Sequence, residues 1–310
     1  MGHSPNRTHA LRRSRRDGPA LDSIVVGRYR GDVAALLPFH LHPFVVAVIV
    51  AAAVVHHVLV TSPRQRVMAR CALLALLLVT IWPVGDVAAK VSLSVATAQR
   101  LVIMLLVAPL LLLSLPTATL ARLSRPPLVD FVVRKLAHPG LALATVTLVG
   151  TATLMPPVVD WGARSNAARD LVLAVVLAVG VVLWIPALAV MPGTRRLSPM
   201  ARAGYLFAAS LAVTSLSFVW IFARHPLYPG LHGQDALLGV TPLFDQQLAG
   251  FVAKFACYVP LWWVAFVIFA HAEDRGVAVE ETPLHWADVE RELLRLDRRR
   301  SRLLARHRPS

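Results

Sequence analysis

The sequence predicts an all-α polytopic membrane protein, a bundle of seven transmembrane helices. Three observations predict it. Hydrophobic residues make up 56% of the 310-residue chain and charged residues only 16%, against roughly 25% charged in a soluble domain. The charges crowd into short segments, as they must when lipid-facing helices exclude them. Between those segments run apolar stretches close to the ~20 residues that cross the hydrocarbon core. They are too long, and alternate too little, to be barrel strands.

The seven segments follow in order. The first runs from Pro43 to Val60, and the second from Val67 to Trp82, ending at Pro83. The third covers Val95 to Leu115, and the fourth, the shortest, Leu141 to Met155. The fifth spans Leu171 to Val190, the sixth Ala203 to Phe222, and the seventh Phe244 to Ala270. The bundle domain is thus 43–270. Before it stands a polar, basic leader, 1–42, with Arg12, Arg13, Arg15 and Arg16. No apolar stretch follows those arginines directly, so the leader does not read as an ordinary signal peptide. Its mildly apolar part, Ile24 to Phe39, suits the membrane interface. After the bundle comes a charged tail, 271–310. Leu293, Leu296, Leu303 and Leu304 lie there among arginines. That pattern reads as a basic amphipathic helix or as a solvated tail.

The net charge is +15. Because the arginines flank apolar spans, this is the positive-inside pattern rather than a nucleic-acid surface. The partners expected are the lipid bilayer and its anionic headgroups, with no nucleic acid. Arg64, Arg66 and Arg70 follow the first segment; Arg122, Arg125, Arg134 and Lys135 the third; Arg195, Arg196 and Arg202 the fifth; and the tail follows the seventh. Alternate loops hold only Lys90, Arg164, Arg169 and Arg224. The expectation is a multi-pass protein of the cell (plasma) membrane, N-terminus outside and C-terminus cytoplasmic.

Two cations fall inside apolar segments, Arg100 in the third and Lys254 in the seventh. Each costs at least about 2.5–3.5 kcal/mol there and needs a partner. Asp86, Asp160, Asp170, Asp235 and Asp245 sit in or beside the outer loops. The expected site is therefore a polar cluster in the outer half of the bundle: Asp86, Arg100, Asp170, Asp245, Gln246, Gln247 and Lys254. Arg100 and Lys254 pair there with two of the aspartates, unless Arg100 snorkels to the interface. Gln246, Gly250, Lys254 and Tyr258 share one helix face, and Ala249, Ala253 and Cys257 form a small-residue stripe for close packing.

No catalytic group and no metal ligand is assigned. No nucleophile elbow, phosphate loop or carboxylate pair stands out, which disfavours a hydrolytic or nucleotide-dependent enzyme. Cys71 and Cys257 lie on different segments without a CxxC, and read as small buried hydrophobes. His40 and His42 stand just before the first segment. His56 and His57, neighbours on a helix, point about 100° apart and do not chelate through one face. The methionines Met68, Met104 and Met155 are soft donors of the kind copper takes, but no spacing assembles them.

Four stretches carry a resemblance. Phe244-Asp245-Gln246-Gln247-Leu248-Ala249-Gly250 opens the seventh segment, and Arg224-His225-Pro226-Leu227-Tyr228-Pro229 follows the sixth. Gln99 through Val107-Ala108-Pro109-Leu110-Leu111 to Leu115-Pro116 forms most of the third. Leu197-Ser198-Pro199, with Arg202 and Tyr205, leads into the sixth. In this order the chain resembles the cytochrome c oxidase assembly factors known as CtaG, over roughly 40–272. The resemblance implies a seven-helix membrane fold and a role in maturing a haem–copper oxidase, by supplying copper or by contact with oxidase subunits. It also marks a departure. Where the family shows two histidines in its third helix, this chain has Ala96 and Arg100. Where the family has Met-Trp in the last helix, it has Ala253 and Lys254. The histidine-rich stretch before the fifth helix is replaced by Asn166-Ala167-Ala168-Arg169-Asp170. Copper is thus a cofactor implied by resemblance alone, with its usual ligand positions absent. The alternative function is a transporter or permease whose cationic pocket binds an anionic ligand.

Overall fold

The structure, a computed structural model, describes residues 43–60, 62–191, 197–231 and 234–280. The basic leader and the amphipathic helix expected in the tail lie outside them. Among the described residues every regular element is helical, and prolines do most of the punctuation.

Helices α1 (Pro43–Leu59) and α2 (Pro63–Thr80) form a hairpin. At Pro83 the chain bends by 52° into α3 (Val84–Lys90). Proline removes a helix donor and drives the preceding residue out of the helical region. Next come α4 (Leu93–Val102), a π-helical turn (Ile103–Val107) and α5 (Ala108–Ser114), one continuous span of 22 residues. Pro109 explains the wide turn. It cannot donate, and its ring would strike the carbonyl four residues back, so the helix opens to an i→i+5 bond from Ala108 to Ile103. Trp184 donates to the Met104 carbonyl inside that turn, at 2.9 Å.

The short helices α6 (Thr117–Leu123) and α7 (Pro127–Leu136) occupy the arginine-bearing connection. Helix α7 then meets α8 (Pro139–Ala152) at 94°. After α9 (Pro156–Arg164), the 23-residue α10 (Asn166–Leu188) runs through the core. Next are α11 (Pro199–Val213), α12 (Ser215–Ile221), which continues it, and α13 (Gln234–Leu238). The last helix, α14 (Pro242–Glu280), has 39 residues, about 58 Å of helix, and runs well past the end expected at Ala270.

All seven apolar segments are helical, but the count of seven membrane spans is not reached. Four helices are long and apolar enough to cross, and six if each bent pair forms one span. The fourth segment shows why. Helix α8 has 14 residues, about 21 Å, short of the ~30 Å hydrocarbon core, and reaches span length only together with α7 across a right-angled break. The first helix is likewise short, with its apolar part at Val45–Leu59.

The core gathers around α10, where Val176, Val179, Leu183 and Trp184 are buried against residues of α4, α8, α11 and α14. Two glycines set how closely the helices approach. A Cβ on Gly180 would lie 2.9 Å from both Ala108 Cβ and Met104 Cα. One on Gly250 would lie 2.6 Å from Ile221 and 2.8 Å from the Ser217 carbonyl. Helix α14 can therefore lie against α12 only because that face carries no side chain at 250.

Candidate functional site

The polar residues that the sequence grouped together are split by the structure into three sets on neighbouring helices. The first is centred on Asp245, 1% exposed in the opening turn of α14. Its carboxylate accepts from the Ser92 hydroxyl at 2.7 Å, the Ser94 hydroxyl at 2.5 Å and the Leu93 N–H at 2.7 Å. These donors form the N-terminus of α4, whose Ser92 N-cap also accepts from Val95 N–H. A helix start leaves N–H groups orphaned and carries partial positive charge, so a buried carboxylate is the natural complement. Asp245 thereby ties the third and seventh segments through a single side chain.

The adjacent glutamines pin the connection after α12. Gln246 accepts from the Leu227 N–H at 2.7 Å, and Gln247 donates to the Ala223 carbonyl at 3.3 Å. Tyr228, in the same connection, donates to the Leu154 carbonyl at 2.7 Å and accepts from the Trp220 indole at 2.9 Å. Burial pushes the Tyr228 phenol up to about 12, while the Trp220 hydrogen bond and the nearby Arg100 charge oppose that rise.

The second set holds the buried ions. Asp86, fully buried on α3, has Lys90 at 3.2 Å and Arg169 at 3.8 Å. Arg169 in turn has Asp170 at 3.2 Å. Two acids and two cations thus join α3 to the first turn of α10, and their opposite charges repay part of the desolvation cost.

Arg100 and Lys254 form the third set, and here the expected pairing fails. Among the described residues no carboxylate lies within ion-pair distance of either. Arg100 instead donates to the Thr153 carbonyl at 2.8 Å and its hydroxyl at 3.2 Å, capping the C-terminus of α8, where carbonyls are orphaned and the dipole is negative. Lys254 donates to the Tyr258 hydroxyl at 3.0 Å and sits 3.6 Å from the Phe218 ring centroid, a cation–π contact. A helix end and aromatic faces have taken the place given to aspartates. Beside Arg100 lies a cavity of about 50 Å³ lined by Thr97, Met104, Ser217, Trp220 and Ala253 among others, room for a few waters. The buried Thr97 hydroxyl in that lining has no hydrogen-bond partner among the described residues.

Ser92, Ser94 and Thr153 carry much of this network and escaped the sequence reading, and Tyr228 stood there only as part of a family-like stretch, with no contact assigned to it. Only Ser92 left a signal, as a serine just ahead of an apolar run, the mark of an N-cap. Arg169 appeared as one more outer-loop arginine, yet it is 5% exposed.

The motifs that seemed informative in sequence are therefore ties between helices. The Asp-Gln-Gln run holds α4 and the connection after α12, and Gln99 donates to the Val79 carbonyl at 2.6 Å. Tyr205 donates to the Leu183 carbonyl at 2.9 Å, and Arg202 donates to the Ala187 carbonyl. Fold and site together define a multi-pass membrane protein whose polar residues tie neighbouring helices of a bundle to one another. The family model for the cytochrome c oxidase caa3 assembly factor (Caa3_CtaG) matches residues 45–273, and the chain belongs to that family. No curated protein and no solved structure matches it.

The residues present do not fit copper at the positions where the family resemblance places its ligands. Arg100 offers no lone pair and stays charged, so it repels a cuprous ion rather than binding it. Of the soft donors, Met104 alone lines the adjoining cavity. Among the described residues no group of three His, Cys, Asp or Glu side chains gathers to hold a metal.

Proposed function

We propose that the chain helps to mature a caa3-type cytochrome c oxidase as a non-enzymatic membrane factor that contacts oxidase subunits and holds no copper in its bundle. Arg100 carries the reading. A permanent cation stands beside the central cavity, bonded to Thr153 and without a carboxylate partner among the described residues, where copper chemistry requires soft, neutral or anionic donors.

Helix α14 supplies the contact surface. Only 22% of its most apolar window is buried, against 56% for α10, and it exposes Phe255, Trp263 and Phe266. Lys254, on the same helix, is only partly buried, and a partner helix bearing a carboxylate complements it. The arginine-bearing connections support an N-out, C-in orientation in the plasma membrane, with α1 as a seventh crossing. The transporter reading draws no support from the comparisons, and a cavity of about 50 Å³ is small for a solute.

The test is isolation of the tagged chain from membranes that make the oxidase. Oxidase subunits co-purify and copper stays well below one atom per chain, while Lys254→Met weakens the co-purification. Stoichiometric copper that disappears on mutating Met104 or His56 overturns the reading.

A further inference from the structure

A second cavity, of about 220 Å³, opens between α1 and α2, away from the polar layer. His56 and His57 from the last turn of α1 line it, with Arg66 and Arg70 from the first turns of α2; among the described residues no carboxylate does. Ala53 and Ala69 keep the space open by their small size.

The basic groups here are not consumed by the fold. Arg66 donates its Nε–H to the Val60 carbonyl at 2.8 Å, which fixes its stem and leaves the rest of its guanidinium without a partner among the described residues. Arg70 and His57 have no hydrogen-bond or ion-pair partner there. His56 is held by the Ala52 carbonyl at 3.0 Å and by Ser114 at 3.1 Å, so it acts as a wall. Ordinary snorkelling arginines fan into water; these two share a walled space with two imidazoles.

The position is informative as well. Only residues 60–62 separate α1 from α2, so the cavity lies where both helices leave the apolar region, at headgroup depth. It is on the side where the arginine-bearing connections gather. The same helices expose Val58 and Leu74, apolar surface along which acyl chains run.

We propose that this cavity binds the phosphate of an anionic phospholipid. Arg66 and Arg70 give charge-assisted, fork-shaped hydrogen bonds to the phosphate oxygens, and His57 adds a further N–H. Basic pockets between helices at this depth are suited to such headgroups. The volume is below that of a drug-sized site and matches a phosphate with its adjoining glycerol oxygens.

The experiment uses the full chain in detergent, stripped of lipid. Phosphatidylglycerol, phosphatidylcholine and inorganic phosphate are titrated separately, with the thermal unfolding midpoint and lipid retention by native mass spectrometry as readouts. Phosphatidylglycerol raises the midpoint by several degrees and stays bound, because a ligand of the native state stabilises it by mass action. Phosphatidylcholine, a net-neutral zwitterion whose bulky choline cation already neutralises its phosphate and faces the same arginines, does not. Arg70→Gln keeps the lipid-free midpoint, since its side chain has no partner among the described residues, and weakens phosphatidylglycerol about tenfold or more. Arg64→Gln, in the first turn of the same helix but outside the cavity lining, leaves the affinity unchanged. Equal loss in both variants reduces the effect to diffuse charge and overturns the proposal. A full shift with inorganic phosphate alone makes this a site for free phosphate and overturns the lipid assignment.

Discussion

Replacing Asp245 with alanine removes the one side chain that joins the start of α14 to the start of α4. Three short hydrogen bonds disappear, to the Ser92 and Ser94 hydroxyls and the Leu93 N–H. The hydroxyls can turn to other acceptors, but the Leu93 N–H is left buried without one, and Leu93 is 2% exposed. Hydrogen bonds to an ionised group contribute about 1.5–3 kcal/mol each, and an orphaned buried donor costs about 1–3 kcal/mol. Allowing for the rotated hydroxyls, the loss is about 3–5 kcal/mol, or a fall of roughly 10 °C in the unfolding midpoint at about 2–4 °C per kcal/mol for a domain of this size. Asp245→Asn keeps the shape but turns an amide N–H toward a donor, and costs less, about 1–3 kcal/mol. Tryptophan-fluorescence melting of the detergent-purified variants measures both. If Asp245→Ala melts within about 2 °C of wild type, the carboxylate is not the tie described. A double-mutant cycle with Ser92→Ala then isolates the pair, and the two losses should fall short of additive.

Other perturbations follow from the same contacts. Gly250→Leu forces a side chain into Ile221 and the Ser217 carbonyl, separates α14 from α12, and lowers the melting midpoint; Gly204→Leu, with open space around its Cβ, leaves it unchanged. Arg100→Met leaves the Thr153 carbonyl without its side-chain donor; folding yield falls, and copper content measured after loading stays near zero. Raising the pH from about 10 to about 12 destabilises the protein through Tyr228. The unfolded phenol ionises in that window while the buried one stays protonated, so the native state holds more protons and stability falls. Tyr228→Phe removes that share of the alkaline decline, which pH-dependent melting detects.

Much of the architecture was visible in the residues, and the reasons for the exceptions are physical. Pro83 ended the second segment in sequence and bends the chain in the structure. Ala249, Ala253 and Cys257 formed the small-residue stripe meant for close packing, and all three are buried; Gly250, on the neighbouring face with Lys254, turns out to be packed as closely. The bend between α7 and α8 has its prolines in plain view, but the angle depends on what the neighbouring helices leave open. The partner of Asp245 was beyond reach for a different reason: Leu93 lies 152 positions away, and nothing local reports that contact. Arg100 misled because side chains were matched only with side chains. Its partner is a backbone carbonyl, which every residue carries and no sequence displays.

The proline inside α10 bears on how the protein enters the membrane. Pro186 cannot donate to the carbonyl four residues earlier, and in lipid no water replaces that bond. The following helix donates to other carbonyls at this end of α10, Tyr205 to Leu183 and Arg202 to Ala187. Alone, α10 would thus meet the hydrocarbon with weakened backbone pairing at this end, and α11 without the Leu183 acceptor of its Tyr205 hydroxyl. The expected consequence is that the two enter the membrane best together, as a hairpin in which each helix meets polar groups of the other.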